Sequence, residues 1–219
     1  STQGYSSAAS DVYKRQYHII ELFEHHSFTE LTTFSINKQG LLKLDSFIDF
    51  LESNLRTKLI EELPIPTIIS ATDLDHGKTV SFCKGKIAER VAASCCMPVL
   101  FAPQKINNTY YVDGGILMNL PVTPIREMCE KVIAFNVSPL VADEYKKNVV
   151  TIALRAYHFI FQANTLSQKP LSDLLIEPYG LEGYSNRELE KAEEIFEQGY
   201  NTANEILDHL LREKGTIWK

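Results

Sequence analysis

Thr109-Tyr110-Tyr111-Val112-Asp113-Gly114-Gly115-Ile116-Leu117-Met118-Asn119-Leu120-Pro121 is the stretch on which the reading of this chain turns. Thr109 to Val112 has the β-branched and aromatic make-up of a strand. The two glycines behind Asp113 let the backbone turn sharply, including at positive φ. Such a turn leaves the carboxylate at the carboxyl end of a strand, the end of an α/β sheet where ligands and chemistry collect. An ordinary Asp-Gly turn is the competing reading, and the flanking sequence decides between them.

Upstream lies Val91-Ala92-Ala93-Ser94-Cys95-Cys96-Met97-Pro98-Val99-Leu100-Phe101. Further up stands Ile69-Ser70-Ala71-Thr72-Asp73-Leu74, then Gly77, Val80-Ser81-Phe82 and Gly85. Taken together these pieces resemble the patatin-like phospholipase family. Its members carry an "ATDL…G…V.F..G" hairpin, an "AS" helix leading to a proline and a "F.P", and "DGG…N.P" around the catalytic aspartate. The match runs in order from Pro66 to Val137, and Leu174-Leu175-Ile176-Glu177-Pro178 with the long helix behind it resembles the family's end. The resemblance implies an α/β fold in three layers, with a mainly parallel sheet flanked by helices. It also implies a serine acyl hydrolase, a phospholipase or lipid esterase, working through a Ser–Asp dyad. Carried over residue by residue, it makes Asp113 the catalytic aspartate, supported by Gly114, Gly115, Asn119 and Pro121. It implies no cofactor, a lipid or ester substrate, and transient contact with a membrane surface.

The other half of the dyad is missing from the sequence. The family's serine sits in a G-x-S-x-G elbow upstream of the aspartate, fed by a buried strand. No G-x-S-x-G occurs; Gly4-Tyr5-Ser6-Ser7-Ala8 comes nearest but ends in alanine and has no strand before it. Ser94 is the other tempting hydroxyl, and its place in the "AS" helix suits packing or capping. No nucleophile is therefore assigned, and the chain as written is expected to be inactive. Ser7 to Gln16 resembles translated adapter sequence, so residues 1–16 are set apart as a non-native tail. Residues 17–219 are then expected to be a partial patatin-like domain, incomplete at its N-terminus.

Composition narrows the alternatives. The 219 residues are 44% hydrophobic and 23% charged, the balance of a globular domain. Net charge is −6 without a long basic run, which gives nucleic-acid binding no electrostatic support. No run approaches the ~18 consecutive apolar residues of a transmembrane helix. Cys83, Cys95, Cys96 and Cys129 form neither a zinc pattern nor a disulfide framework. Reduced thiols point to the cytoplasm. His18, His25, His26, His76, His158 and His209 show no ligand spacing, so no metal site is assigned.

Local patterning predicts the elements. A short helix is expected over 17–26. Asp45 is a candidate N-cap, followed by the stripe Leu44, Phe47, Ile48, Leu51 and Leu55. Strands are expected over 67–72 and 79–82, joined as a hairpin by Asp73-Leu74-Asp75-His76-Gly77. A helix over 87–96 ends at Pro98. Asn107-Asn108 is a turn between strands at 104–106 and 109–112. Pro121 and Pro124 suit the first turn of a helix, and 132–137 suits a strand buried on both faces of a parallel sheet. A helix over 148–166 offers Ile152, Tyr157, Ile160 and Phe161 to the core. A strand at 174–177 follows. Ser185 with Glu188 forms a capping box for the last helix, whose stripe is Leu189, Ala192, Phe196, Ala203, Ile206 and Leu210.

A carboxylate can act as general base to a serine hydroxyl within hydrogen-bond reach, with backbone N–H groups holding the oxyanion. Two functions stay open: a patatin-like acyl hydrolase of which only the aspartate half is present, and a non-catalytic relative that binds lipid or protein.

Overall fold

The computed structural model describes residues 20–21, 25–27, 29–37, 40–137, 147–181, 184 and 189–218. The expected tail 1–16, Ser6, most of the helix expected over 17–26, and the capping box of Ser185 and Glu188 lie outside them. The strands are β1 (Thr33–Asn37), β2 (Gly40–Lys43), β3 (Ile69–Asp73), β4 (Lys78–Phe82), β5 (Gln104–Ile106), β6 (Thr109–Asp113), β7 (Ile133–Phe135) and β8 (Leu174–Ile176). The helices are α1 (Asp45–Asn54), α2 (Ile87–Ser94), α3 (Gly115–Met118), α4 (Thr123–Arg126), α5 (Val149–Gln168) and α6 (Ala192–Lys214).

The fold is mixed α/β. Its larger sheet has the order β4-β3-β6-β5, and every pairing in it is antiparallel. The mainly parallel pairing expected from the resemblance is not seen in this sheet among the described residues. At the two hairpins, β3–β4 and β5–β6, the reason is connection length: both close through short turns, which antiparallel strands allow and parallel strands do not. Asn107 and Asn108 take φ 47 and 71, the paired positive values that a tight two-residue hairpin turn requires. At the other hairpin Gly77 takes φ 63. There Asp73 Oδ1 accepts the N–H groups of Asp75 and His76. Asp75 instead reaches across to accept the Tyr110 N–H at 2.9 Å, tying the turn to β6.

Parallel pairing is present where a helix provides the crossover. β7, α5 and β8 form a β-α-β unit, with Ile133 beside Leu174 and Phe135 beside Ile176. β7 is not buried on both faces as expected: Ala134 is buried, while Ile133 and Phe135 are 45% and 54% exposed. Behind this unit, Arg126 Nη1 bonds Asp173 Oδ2 at 2.6 Å, and the same oxygen accepts the Val132 N–H at 2.8 Å.

The α1 stripe reads correctly at Leu44, Phe47 and Ile48, whereas Leu51 and Leu55 are half-buried and the residue the helix itself buries is Phe50, off the stripe. Leu44 is buried with Ala92, Cys96 and Phe101, and Phe47 and Ile48 pack against them. Asp45 is no cap: Leu44 holds the cap position without a side-chain bond, and Asp45 is the acidic residue of the first turn, where a carboxylate complements the helix dipole. A second cluster, Ala71, Ala93 and Ile106, binds α2 to the antiparallel sheet. The β1–β2 hairpin was not expected from the sequence. α6 buries only Thr202 among its described residues, so its apolar stripe is half covered.

Candidate active site

Asp113 ends β6, opposite Ala71 of β3. The position matches the expectation of a carboxylate at a strand's carboxyl end, and the mechanism of the turn differs. Gly114 has φ −61 and ψ −28, ordinary right-handed values. It is needed for closeness instead: a Cβ on it would lie 2.5 Å from the Ser70 carbonyl oxygen. The chain then winds straight into α3, a single helical turn absent from the sequence reading. A Cβ on Gly115 would meet Asn119 Oδ1 and Asp113 Oδ1 at 3.1 Å and the Phe161 ring at 3.2 Å.

The backbone of this turn is fixed from two sides. The Asp113 N–H donates to Cys96 O at 2.9 Å and the Gly114 N–H to Ser94 O at 3.2 Å. Helix ends leave carbonyls without partners, and here the end of α2 finds its partners in the Asp-Gly turn. Ser94 thus holds the turn through its carbonyl. From the sheet, the buried Thr72 hydroxyl donates to Asp113 O at 2.9 Å.

The carboxylate is half-buried. Oδ1 accepts the Gly115 N–H at 2.8 Å. Among the described residues, Oδ2 accepts no hydrogen bond. Burial raises the Asp113 pKa above the ordinary aspartate value, and the Gly115 N–H opposes that shift. One oxygen anchored, the other without a hydrogen-bond donor among the described residues, and a raised basicity suit a proton acceptor for a nearby hydroxyl. Desolvation around its sulfur, then the Asp113 charge, pushes the Cys95 thiol up to about 12, although the residue as a whole is exposed. Cys95 Sγ turns back to Val91 O at 3.0 Å. A protonated thiol is a poor nucleophile, so Cys95 does not stand in for a serine.

Asn119 braces the loop through α5: its Nδ2 donates to Thr165 Oγ1 at 3.1 Å. Pro121 is exposed and precedes α4, in which Pro124 takes the first-turn position. The sequence reading missed Thr72, Asn164 and Thr165 as supports of the loop. Thr72 stood inside the quoted Ala71-Thr72-Asp73 run, whereas nothing local marks the α5 residues. Val99, φ 73, lies just beyond α2, a strained value for a β-branched residue. No group of three or more His, Cys, Asp or Glu side chains among the described residues could hold a metal ion. No helix among them is long and apolar enough to cross a membrane.

Comparison with known proteins adds two findings. The sequence model of the patatin-like phospholipase family matches residues 7–126. The interval includes Asp113 and ends with α4, and it begins inside the stretch 1–16 set apart above. An uncharacterized NTE family protein of Mycobacterium bovis is 37% identical over 91 residues. Uncharacterized NTE family proteins of two Mycobacterium tuberculosis strains show the same 37% identity. The aligned segment is 42% of this chain and 25% of each relative, so the chain spans about a quarter of the proteins it matches.

Proposed function

The chain belongs to the patatin-like phospholipase family, a lipid hydrolase family, and on that premise we propose that it supplies the aspartate half of a Ser–Asp acyl hydrolase. The observation that carries this reading is the Asp113 carboxylate, with Oδ1 held by the Gly115 N–H and its basicity raised by burial. In the proposed reaction Oδ2 takes the proton from a serine hydroxyl as that oxygen attacks a lipid ester carbonyl. No nucleophile or oxyanion loop is assigned within these 219 residues, which contain no G-x-S-x-G. In the longer protein the antiparallel sheet seen here would join a three-layer, mainly parallel arrangement. Substrate would be met at a membrane surface. The four cysteines are free thiols, which supports a reducing, cytoplasmic setting.

The absent elbow is also the one observation favouring the second reading, a non-catalytic lipid- or protein-binding relative. Hydrolysis separates the two. The 219-residue chain should leave nitrophenyl butyrate and phospholipid vesicles intact, and the full-length gene product should hydrolyse lipid esters. A full-length product that lacks G-x-S-x-G and shows no hydrolysis would support the binding reading instead.

A further inference from the structure

α5 turns much of its apolar surface outward, although Phe161 on it is buried. Val149, Ile152, Phe159, Ile160 and Leu166 on it are exposed, while Thr165 is fully buried and Gln168 nearly so. A helix in a globular protein normally gives its apolar stripe to the core. Burying amide and hydroxyl groups costs free energy unless they are hydrogen-bonded. The inverted face is therefore expected to hold polar groups of the protein, and it does. Asn164 Nδ2 donates to Gly115 O at 2.7 Å and to Ile116 O at 3.2 Å. Asn164 Oδ1 accepts the Asn119 N–H at 2.8 Å. One side chain thereby spans α3 from its first residue to the residue after its last. Gly115 is also the residue whose N–H donates to Asp113 Oδ1. Four residues along α5, Gln168 Oε1 accepts the Thr123 N–H and hydroxyl, a similar grip on a segment away from the carboxylate.

We propose that Asn164 is a positioning residue for the Asp113 carboxylate, gripping Gly115 and Asn119 so that the Gly115 N–H stays aimed at Oδ1. Its relevance to catalysis rests on the reading of Asp113 as the general base. The neighbouring Thr165 assists by accepting from Asn119 Nδ2. Because the Asn164 side chain hydrogen-bonds only to backbone among the described residues, its influence passes through the geometry of the loop.

The test is the titration of the Asp113 side-chain carbonyl carbon by NMR in the 219-residue chain, assigned with Asp113→Asn. Three variants are compared with the parent: Asn164→Ala, Asn164→Ser and Gln168→Ala. Loss of the Asn164 grip frees Gly115, weakens its N–H bond to Oδ1 and leaves burial unopposed. Both Asn164 variants should therefore move the Asp113 titration to higher pH and lower the melting temperature. Gln168→Ala should lower the melting temperature and leave the titration where it is in the parent. The proposal is overturned if the Asn164 variants lower stability alone, or if Gln168→Ala moves the titration equally. It is also overturned if both Asn164 variants fail to fold while Gln168→Ala folds, because Asn164 would then be a stability residue. The readout is independent of whether Asp113 is a base; that role fails separately, in the kcat of Asp113→Asn.

Discussion

Replacing Gly114 by alanine should damage the fold more than any change of backbone freedom explains. Gly114 already sits at right-handed φ and ψ, so alanine fits its dihedral angles. What it does not fit is the space: the new Cβ would lie 2.5 Å from Ser70 O and 3.0 Å from Ser70 C. Carbon and carbonyl oxygen rarely approach closer than about 3.3 Å, which makes the overlap about 0.8 Å. β3 cannot step aside, because β4 and β6 hold it on both edges and Ala71 beside Ser70 is fully buried. Forcing a methyl group into such a site costs about 1–3 kcal/mol, and the double-edged restraint puts Gly114→Ala near the top, about 3 kcal/mol. For a chain of this size that lowers Tm by about 6–12 °C. Urea unfolding followed by circular dichroism measures it. Gly199→Ala is the matched control: it lies inside α6 with nothing within 4 Å of the added Cβ. It should stabilise by about 0.5–1 kcal/mol through helix propensity. A Gly114→Ala loss below about 1 kcal/mol with an unchanged urea slope would refute the close-approach argument.

Asp173 should carry part of the acid sensitivity. Its bonds to Arg126, then the Val132 N–H and the Lys131 ion pair, hold its carboxyl well below the usual range. A depressed folded-state pKa stabilises fully above the unfolded value near ~3.9 and is lost as pH falls toward the folded value. Asp173→Asn should flatten the acid limb of the stability curve below about pH 4, and an unchanged limb would count against the Asp173 bonds to Arg126 and Val132 as its source. Cys95 should alkylate with iodoacetamide at pH 8 roughly 100-fold or more slower than in the unfolded chain, because thiolate is the reacting species. Asp113→Asn removes a negative charge that holds the thiol protonated, so it should speed that alkylation. Peptide mapping by mass spectrometry reads both rates, and equal rates in parent and variant would put Asp113 too far from Cys95.

Local chemistry was legible in the sequence where a few adjacent residues decide it. Asp73 and Gly77 closed one hairpin and Asn107-Asn108 the other, Pro124 entered a helix start, and the spacing of Leu44, Phe47 and Ile48 oriented α1. The aspartate's place at the end of β6 followed from the strand before it and the glycines after it. What stayed hidden depended on distant partners. Gly114 is small because of Ser70, forty-four positions upstream. The reading of α5 offered Ile152, Tyr157, Ile160 and Phe161 to the core; Phe161 is buried as expected and Tyr157 half-buried, whereas Ile152 and Ile160 are 49% and 44% exposed. The opposite face is inside because Gly115 O, Asn119 N–H and Thr123 N–H need partners there. Hydrophobic periodicity gives the contrast between faces, and polar satisfaction across the fold decided which face turned inward.

The most direct test of the account is Asp113→Asn in the full-length gene product, with kcat on a phospholipid and Tm measured on the same preparation. Asparagine keeps an oxygen for the Gly115 N–H and removes both the proton acceptor and a half-buried charge. A raised folded-state pKa means that ionised Asp113 opposes folding above that pKa, with relief as pH falls through it. The account therefore predicts kcat lower by about 10²–10⁴-fold with Tm unchanged or raised at neutral pH. A variant with near-parental kcat and a lowered Tm would contradict it, leaving Asp113 a turn residue of the sheet.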